Sequence, residues 1–151
     1  MTTPHAAPIF TGQYEAKLSG RGRFFLPAAL REKFAAGAGG ESALMFLFVD
    51  CLRLIPANTI RSAMEQIGGW QYEYERRMLA SGSESMWGRN GWIEMPKRIM
   101  SMAGLRLGDE IMLVGCGKWV EVWKREDWLI EADQRKLPDG AVEHVRELLD
   151  E

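Results

Sequence analysis

Polar and apolar side chains alternate through Gln13-Tyr14-Glu15-Ala16-Lys17-Leu18, the period of two that sets one side of a strand against a core. Ser19-Gly20-Arg21-Gly22 interrupts the alternation and Arg23-Phe24-Phe25-Leu26 resumes it, so the pattern predicts a β-hairpin in which the second run pairs with the first. Pro27 ends this hairpin, and Pro27 to Phe34 suits a short helix with proline in its first turn, broken by Gly37-Ala38-Gly39-Gly40. The apolar runs Leu44 to Val49 and Cys51 to Ile55, with Asp50 between them, predict two further strands. Asn58 or Thr59 then caps a helix through Ile60, Met64 and Ile67 that pauses at Gly68-Gly69 and continues from Tyr72 to Leu79.

The same order of elements recurs. Ser19-Gly20-Arg21-Gly22-Arg23-Phe24-Phe25-Leu26-Pro27 is matched by Gly88-Arg89-Asn90-Gly91-Trp92-Ile93-Glu94-Met95-Pro96, about 69 positions on. Cys51 to Ile55 lines up with Trp119 to Trp123, and each is followed by a polar, helix-starting segment, Ala57 to Ile60 and Arg125 to Trp128. In the second copy Trp87, Ile93 and Met95 belong to the first hairpin, Pro96 to Met102 to the short helix, and Glu110 to Val114 with Trp119 to Trp123 to the second hairpin. Ser81-Gly82-Ser83 links the copies, and a final helix from about Asp139 carries Val142, Val145, Leu148 and Leu149 on one face. Two matches at nearly one offset indicate a duplicated module. A fused pair imitates a homodimer and works through shared surface, which favours binding over catalysis.

With 46% hydrophobic and 26% charged residues in 151 positions, the chain has ample core material. Its net charge of −2 offers no whole-chain attraction to a polyanion. Charge is concentrated instead. Residues 12–40 hold Lys17, Arg21, Arg23, Arg31 and Lys33 against Glu15 and Glu32, while acid gathers towards the C-terminus. Cys51 and Cys116 sit in apolar runs without a second Cys or His at ligand spacing, so buried, reduced thiols in a cytoplasmic protein are expected, with no metal site. No stretch approaches the about 18 apolar residues of a membrane span, and Met1 to Pro8 lacks the layout of a signal peptide.

Candidate chemistry centres on the first glycine turn. Gly20 and Gly22 remove side-chain bulk and leave amide donors accessible, so Lys17, Arg21 and Arg23 can approach a phosphate backbone, with Arg31 at the helix start in support and Arg89 in the second turn secondary. Trp87, Trp92, Trp119, Trp123 and Trp128 fall at alternating strand positions and a helix start, as packing residues of a core or subunit interface do. Gly115-Cys116-Gly117 reads as a hairpin turn, and Glu94 as part of an exposed strand face or the partner of an arginine from a neighbouring subunit. His5 and His144 stand far from either cysteine, giving no support to a Cys/His catalytic pair.

Five pieces in order, Gly12-Gln13-Tyr14-Glu15, Gly22-Arg23 with Pro27-Ala28-x-Leu30-Arg31-Glu32, Ala103-Gly104-Leu105, Met112-Leu113-Val114-Gly115, and Glu121-Val122-Trp123 with Trp128, resemble the MraZ family of transcriptional regulators of the bacterial division and cell-wall gene cluster. The resemblance implies an α+β fold of two tandem AbrB-like swapped-hairpin β modules forming an intrachain pseudo-dimer, with short helices and a C-terminal helix. On this reading residues 1–9 are a disordered tail, 10–80 the first module with its helix, 81–137 the second module and 138–151 the C-terminal helix. It further implies a homo-oligomeric ring in the cytoplasm, associated with the nucleoid, that contacts double-stranded DNA at promoter repeats through the basic turns. Neither enzyme activity nor cofactor comes with the family. The family's Asp-x-x-x-Arg signature has lost its acid in the first turn, where Ser19 precedes Arg23, and both members in the second, where Gly88 and Trp92 stand. A protein-interaction or scaffold module of the same fold is therefore the alternative expectation.

Overall fold

The computed structural model describes residues 9–36, 41–48, 51–60, 72–134 and 140–150. Its strands are β1 (Gln13–Lys17), β2 (Arg23–Phe25), β3 (Ser42–Phe48), β4 (Cys51–Pro56), β5 (Ser83–Met86), β6 (Trp92–Glu94), β7 (Glu110–Gly115) and β8 (Val120–Lys124). Helices are α1 (Ala28–Ala36), α2 (Tyr72–Ser81), α3 (Lys97–Met102), α4 (Arg125–Gln134) and α5 (Ala141–Leu149), and residues 57–60 are helical as well. The fold is thus mixed α and β, an antiparallel sheet with several short helices. Most of the tail, the Gly37 to Gly40 break, Asp50, Met64, Ile67, Gly68-Gly69 and Asp139 lie outside the described residues.

The predicted pairing of the Gln13 run with the Arg23 run does not form. β1 pairs with β7, aligning Ala16 with Ile111, and β2 pairs with β6, aligning Phe24 with Ile93. Likewise β5 pairs with β3 rather than with β6. The turn between β1 and β2 is tight, closed by Gly22 N–H to Ser19 O at 2.9 Å and Ser19 N–H to Arg23 O at 2.8 Å. Gly22, at φ 73°, lies in the left-handed region, and the chain beyond it enters a separate two-stranded ribbon. Every backbone donor and acceptor needs a partner, and here the partners come from the other half of the chain.

Six strands form one sheet in the order β1-β7-β8-β4-β3-β5. Exchanging each strand for its repeat copy returns this order read backwards. Registers follow the same rule: Ala16 opposite Ile111 corresponds to Ser85 opposite Ala43, and Arg53 meets Glu121 at the centre. Phe10 extends the β1 edge through an isolated bridge to Gly117.

The main core lies between this sheet and the β2–β6 ribbon. Phe24 and Ile93 point inward from the ribbon to meet Leu18, Leu26, Leu52, Leu54, Leu113 and Val122, with Leu30 and Phe34 of α1 and Ile99 of α3 at the sides. Burying each such side chain contributes about 1.5–3 kcal/mol. On the opposite face Cys51, Met112, Val114 and Trp123 are buried, and Trp128 of α4 packs against them. Burial on both faces explains why β7 reads as an unbroken apolar run from Ile111 to Val114.

A polar group of residues lies near this second cluster. The Arg53 guanidinium lies between the rings of Phe48 and Trp119, 3.7 and 4.0 Å from their centroids, and 3.8 Å from Glu121. Glu121 accepts hydrogen bonds from the indoles of Trp119 at 3.2 Å and Trp123 at 2.9 Å. Burial foremost, then the Glu121 carboxylate, pushes the Cys51 thiol up to about 12 and the Cys116 thiol up to about 11. Both are free thiols; Cys51 is buried, whereas Cys116 is only partly so.

Candidate nucleic-acid interface

The two glycine turns sit at opposite ends of the β2–β6 ribbon, because its strands are antiparallel and each follows its own turn. They are locked reciprocally. Met95 N–H donates to Gly22 O at 2.8 Å, and Leu26 N–H donates to Gly91 O at 2.8 Å. Each half of the chain therefore holds the other's turn in place.

In the first turn the Ser19 hydroxyl accepts from the backbone N–H of Arg23 at 3.1 Å and of Arg21 at 3.3 Å. The hydroxyl thus organises the backbone but does not touch either guanidinium. Arg21 and Arg23 are exposed, and their guanidinium groups carry no hydrogen bond or ion pair among the described residues. Gly22 is buried against Met100, whose Cε would lie 3.1 Å from an added Cβ. The positive φ, more than this approach to a flexible side-chain end, favours glycine here.

The second turn is built differently. Gly91, at φ 76°, is packed by Arg31 in place of a methionine. Arg31 donates from Nε to Leu26 O at 2.8 Å and from NH1 to Arg89 O at 3.3 Å, and its guanidinium lies 5.3 Å from the centre of the Phe25 ring. Two of its five N–H donors are thus turned towards protein, fixing the loop that carries Arg89. The Arg89 and Asn90 side chains are exposed.

Lys17 is placed apart from these. It ends β1 in the six-stranded sheet, exposed, opposite Glu110. Lys33, part of the local basic excess, donates to Ile9 O at 2.6 Å. The structure therefore gathers Arg21, Arg23, Arg31 and Arg89 around the ribbon and leaves Lys17 on the neighbouring sheet.

Trp92, expected to pack in a core or at a subunit interface, is not part of the chain's own core, and neither is Phe25 beside it. Alternation about the buried Phe24 and Ile93 turns them outward, 43% and 40% exposed, directly opposite each other in the ladder with ring centroids 5.8 Å apart. The period of two within the Trp92-Ile93-Glu94 triplet carries this signal, masked by the large apolar area of tryptophan. Trp87 and Trp123 are buried as expected. Glu94 lies on the same outer face as Trp92, opposite Arg23 of the same chain.

No protein-family model matches the chain. Individual curated proteins do. It is 29% identical to the transcriptional regulator MraZ of Alcanivorax borkumensis over 93% of this chain and 99% of that protein. It is 26% identical to the MraZ of Thermobifida fusca over 91% and 96% of the two chains, and 26% identical to that of Thermomicrobium roseum over 83% and 88%. These matches, at 26 to 29% identity over most of both chains, support membership of the MraZ family. The identity is that of a divergent member. Among the described residues no helix of the chain is long and apolar enough to cross a membrane.

Proposed function

We propose that this chain is a non-enzymatic DNA-binding transcriptional regulator of the bacterial division and cell-wall gene cluster, cytoplasmic and associated with the nucleoid, that contacts promoter repeats through its basic turns as a homo-oligomeric ring. The observation that carries the reading is the pair of exposed guanidinium groups, Arg21 and Arg23, without protein partners among the described residues, on a turn whose backbone is already fixed by Ser19 and Met95. Such groups suit phosphate contact, since no internal bond has to break first. Arg89 supplies a further contact at the far end of the ribbon, with Arg31 holding its loop and Lys17 at the margin. The names of the relatives, transcriptional regulators, agree with it.

The palindromic strand order supports two tandem swapped-hairpin modules acting as an intrachain pseudo-dimer. Such a unit presents a second, head-to-tail surface to its neighbours, and rotation closes those contacts into a ring. Many weak phosphate contacts on one ring then add as avidity.

A protein-interaction role for the same fold is the second reading. It is favoured by Glu94 opposite Arg23 and by Trp92 where the family carries arginine. A gel-shift with DNA from upstream of the chain's own gene, run across a salt series beside random DNA, separates the two. Retention that weakens linearly in log salt, with a slope of about −0.9 per phosphate neutralised, is the expected result. No retardation of either DNA at low salt would overturn the DNA reading and leave the interaction module.

A further inference from the structure

We infer that Phe25 and Trp92 form an apolar strip that meets the 5-methyl groups of thymines in the major groove, between phosphate contacts made by the two turns. This rests on the DNA-binding reading above. The two rings stand side by side on the outer face of the β2–β6 ribbon, 40% and 43% exposed. Aromatic side chains lose favourable burial when left in water, and a paired exposed set marks a contact surface more than a scattered one does.

Charge identifies the occupant. Arg21 and Arg23 lie at one end of the strip and Arg89 at the other, their side chains exposed and without protein partners among the described residues. The complementary partner is therefore apolar in the middle and anionic on both sides. A three-residue strand spans about 10 Å, close to the about 12 Å width of the major groove, which admits a two-stranded β-ribbon. Glu94, on the same face, disfavours a phosphate over the strip itself, so that base edges rather than backbone lie opposite the rings. Of the base edges in that groove, thymine alone presents a methyl group.

The strip is pre-organised. Arg31 lies over Phe25 at 5.3 Å while two of its donors bond to Leu26 O and Arg89 O, so the ring and the Arg89 loop are held by one side chain. Fixing the contact groups before binding reduces the ordering cost of association.

The test uses the fragment from upstream of the chain's own gene, synthesised once with thymine and once with deoxyuridine in every thymine position. The wild-type chain is expected to bind the deoxyuridine fragment about fourfold more weakly for each methyl contacted, the value of one buried methyl-sized group. Its salt slope should be the same on both, since a methyl carries no charge. Trp92→Ala and Phe25→Ala, at exposed positions, are expected to bind the two fragments equally. Equal binding of both fragments by the wild-type chain overturns the inference while leaving the DNA reading intact. Full thymine preference in both variants overturns it too. A change in oligomer mass of Trp92→Ala by light scattering, without loss of thymine preference, assigns the strip to a subunit contact instead. Failure of the wild-type chain to bind either fragment overturns the inference together with the reading beneath it.

Discussion

Arg31 occupies the space that a side chain at Gly91 would need: an added Cβ would meet its Nε at 2.8 Å and its Cζ at 2.9 Å. Gly91 also has φ 76°, where any L side chain is strained. Gly91→Ala is therefore expected to destabilise the chain by about 1–3 kcal/mol, from backbone strain and displacement of Arg31. Gly20→Ala is the control, because nothing lies within 4 Å of a Cβ added there. Urea unfolding midpoints for the two variants check this.

Arg21 and Arg23 are expected to act as independent phosphate contacts. Arg21→Ala and Arg23→Ala should each weaken binding to any DNA and flatten the salt slope by about one unit for every phosphate no longer neutralised. Stability should hardly change, since neither guanidinium bonds to protein among the described residues. Variants that bind as tightly as the wild type with an unaltered slope would remove these residues from the interface.

Ser19 accepts two backbone N–H groups with one hydroxyl oxygen. Ser19→Asp keeps an acceptor there and makes both bonds charge-assisted, which is expected to stiffen the turn by about 1 kcal/mol. A second carboxylate oxygen becomes available to the Arg23 guanidinium, aiming its fork. The specificity ratio of promoter fragment over random competitor should rise. An unchanged ratio would show that the absent acid does not govern discrimination.

The thiols give the chain a basic limit of stability. Cys51 is pushed from the ordinary 9.0 up to about 12, by burial first and by the Glu121 carboxylate next. The folded chain therefore keeps a proton that the unfolded chain releases above pH 9. This stability is fully present below that value and is lost as pH rises towards the folded one, at up to about 1.4 kcal/mol per pH unit for each such thiol. Unfolding free energy measured by urea between pH 9 and about 11 should fall, and Cys51→Ala should make the fall shallower.

Local periodicity made much of this legible. The helix expected after Pro96 is observed as Lys97–Met102, and the strands expected at Cys51 to Ile55 and Glu110 to Val114 are observed as Cys51–Pro56 and Glu110–Gly115. Arg21 and Arg23 are exposed on a glycine turn, as their neighbours in sequence indicate. Arg31 was legible as a basic residue at a helix start but not as a clamp, because Leu26 O and Arg89 O reach it only after the ribbon has formed. The same holds for Arg53, whose aromatic and carboxylate neighbours come from both halves of the chain.

The kinds of element, their order and their repetition follow from spacing along the chain, since a period of two or 3.6 depends only on near neighbours. Which strands pair does not. β1 and β2 are adjacent in sequence and joined by a turn fit for a hairpin, yet β1 bonds to β7 and β2 to β6. Alternation is satisfied equally by either partner, and the choice rests on burying Phe24 against Ile93 and on matching every ladder hydrogen bond across the two halves. That choice also turned Phe25 and Trp92 outward together, because side chains on opposite strands share a face only once the register between them is set.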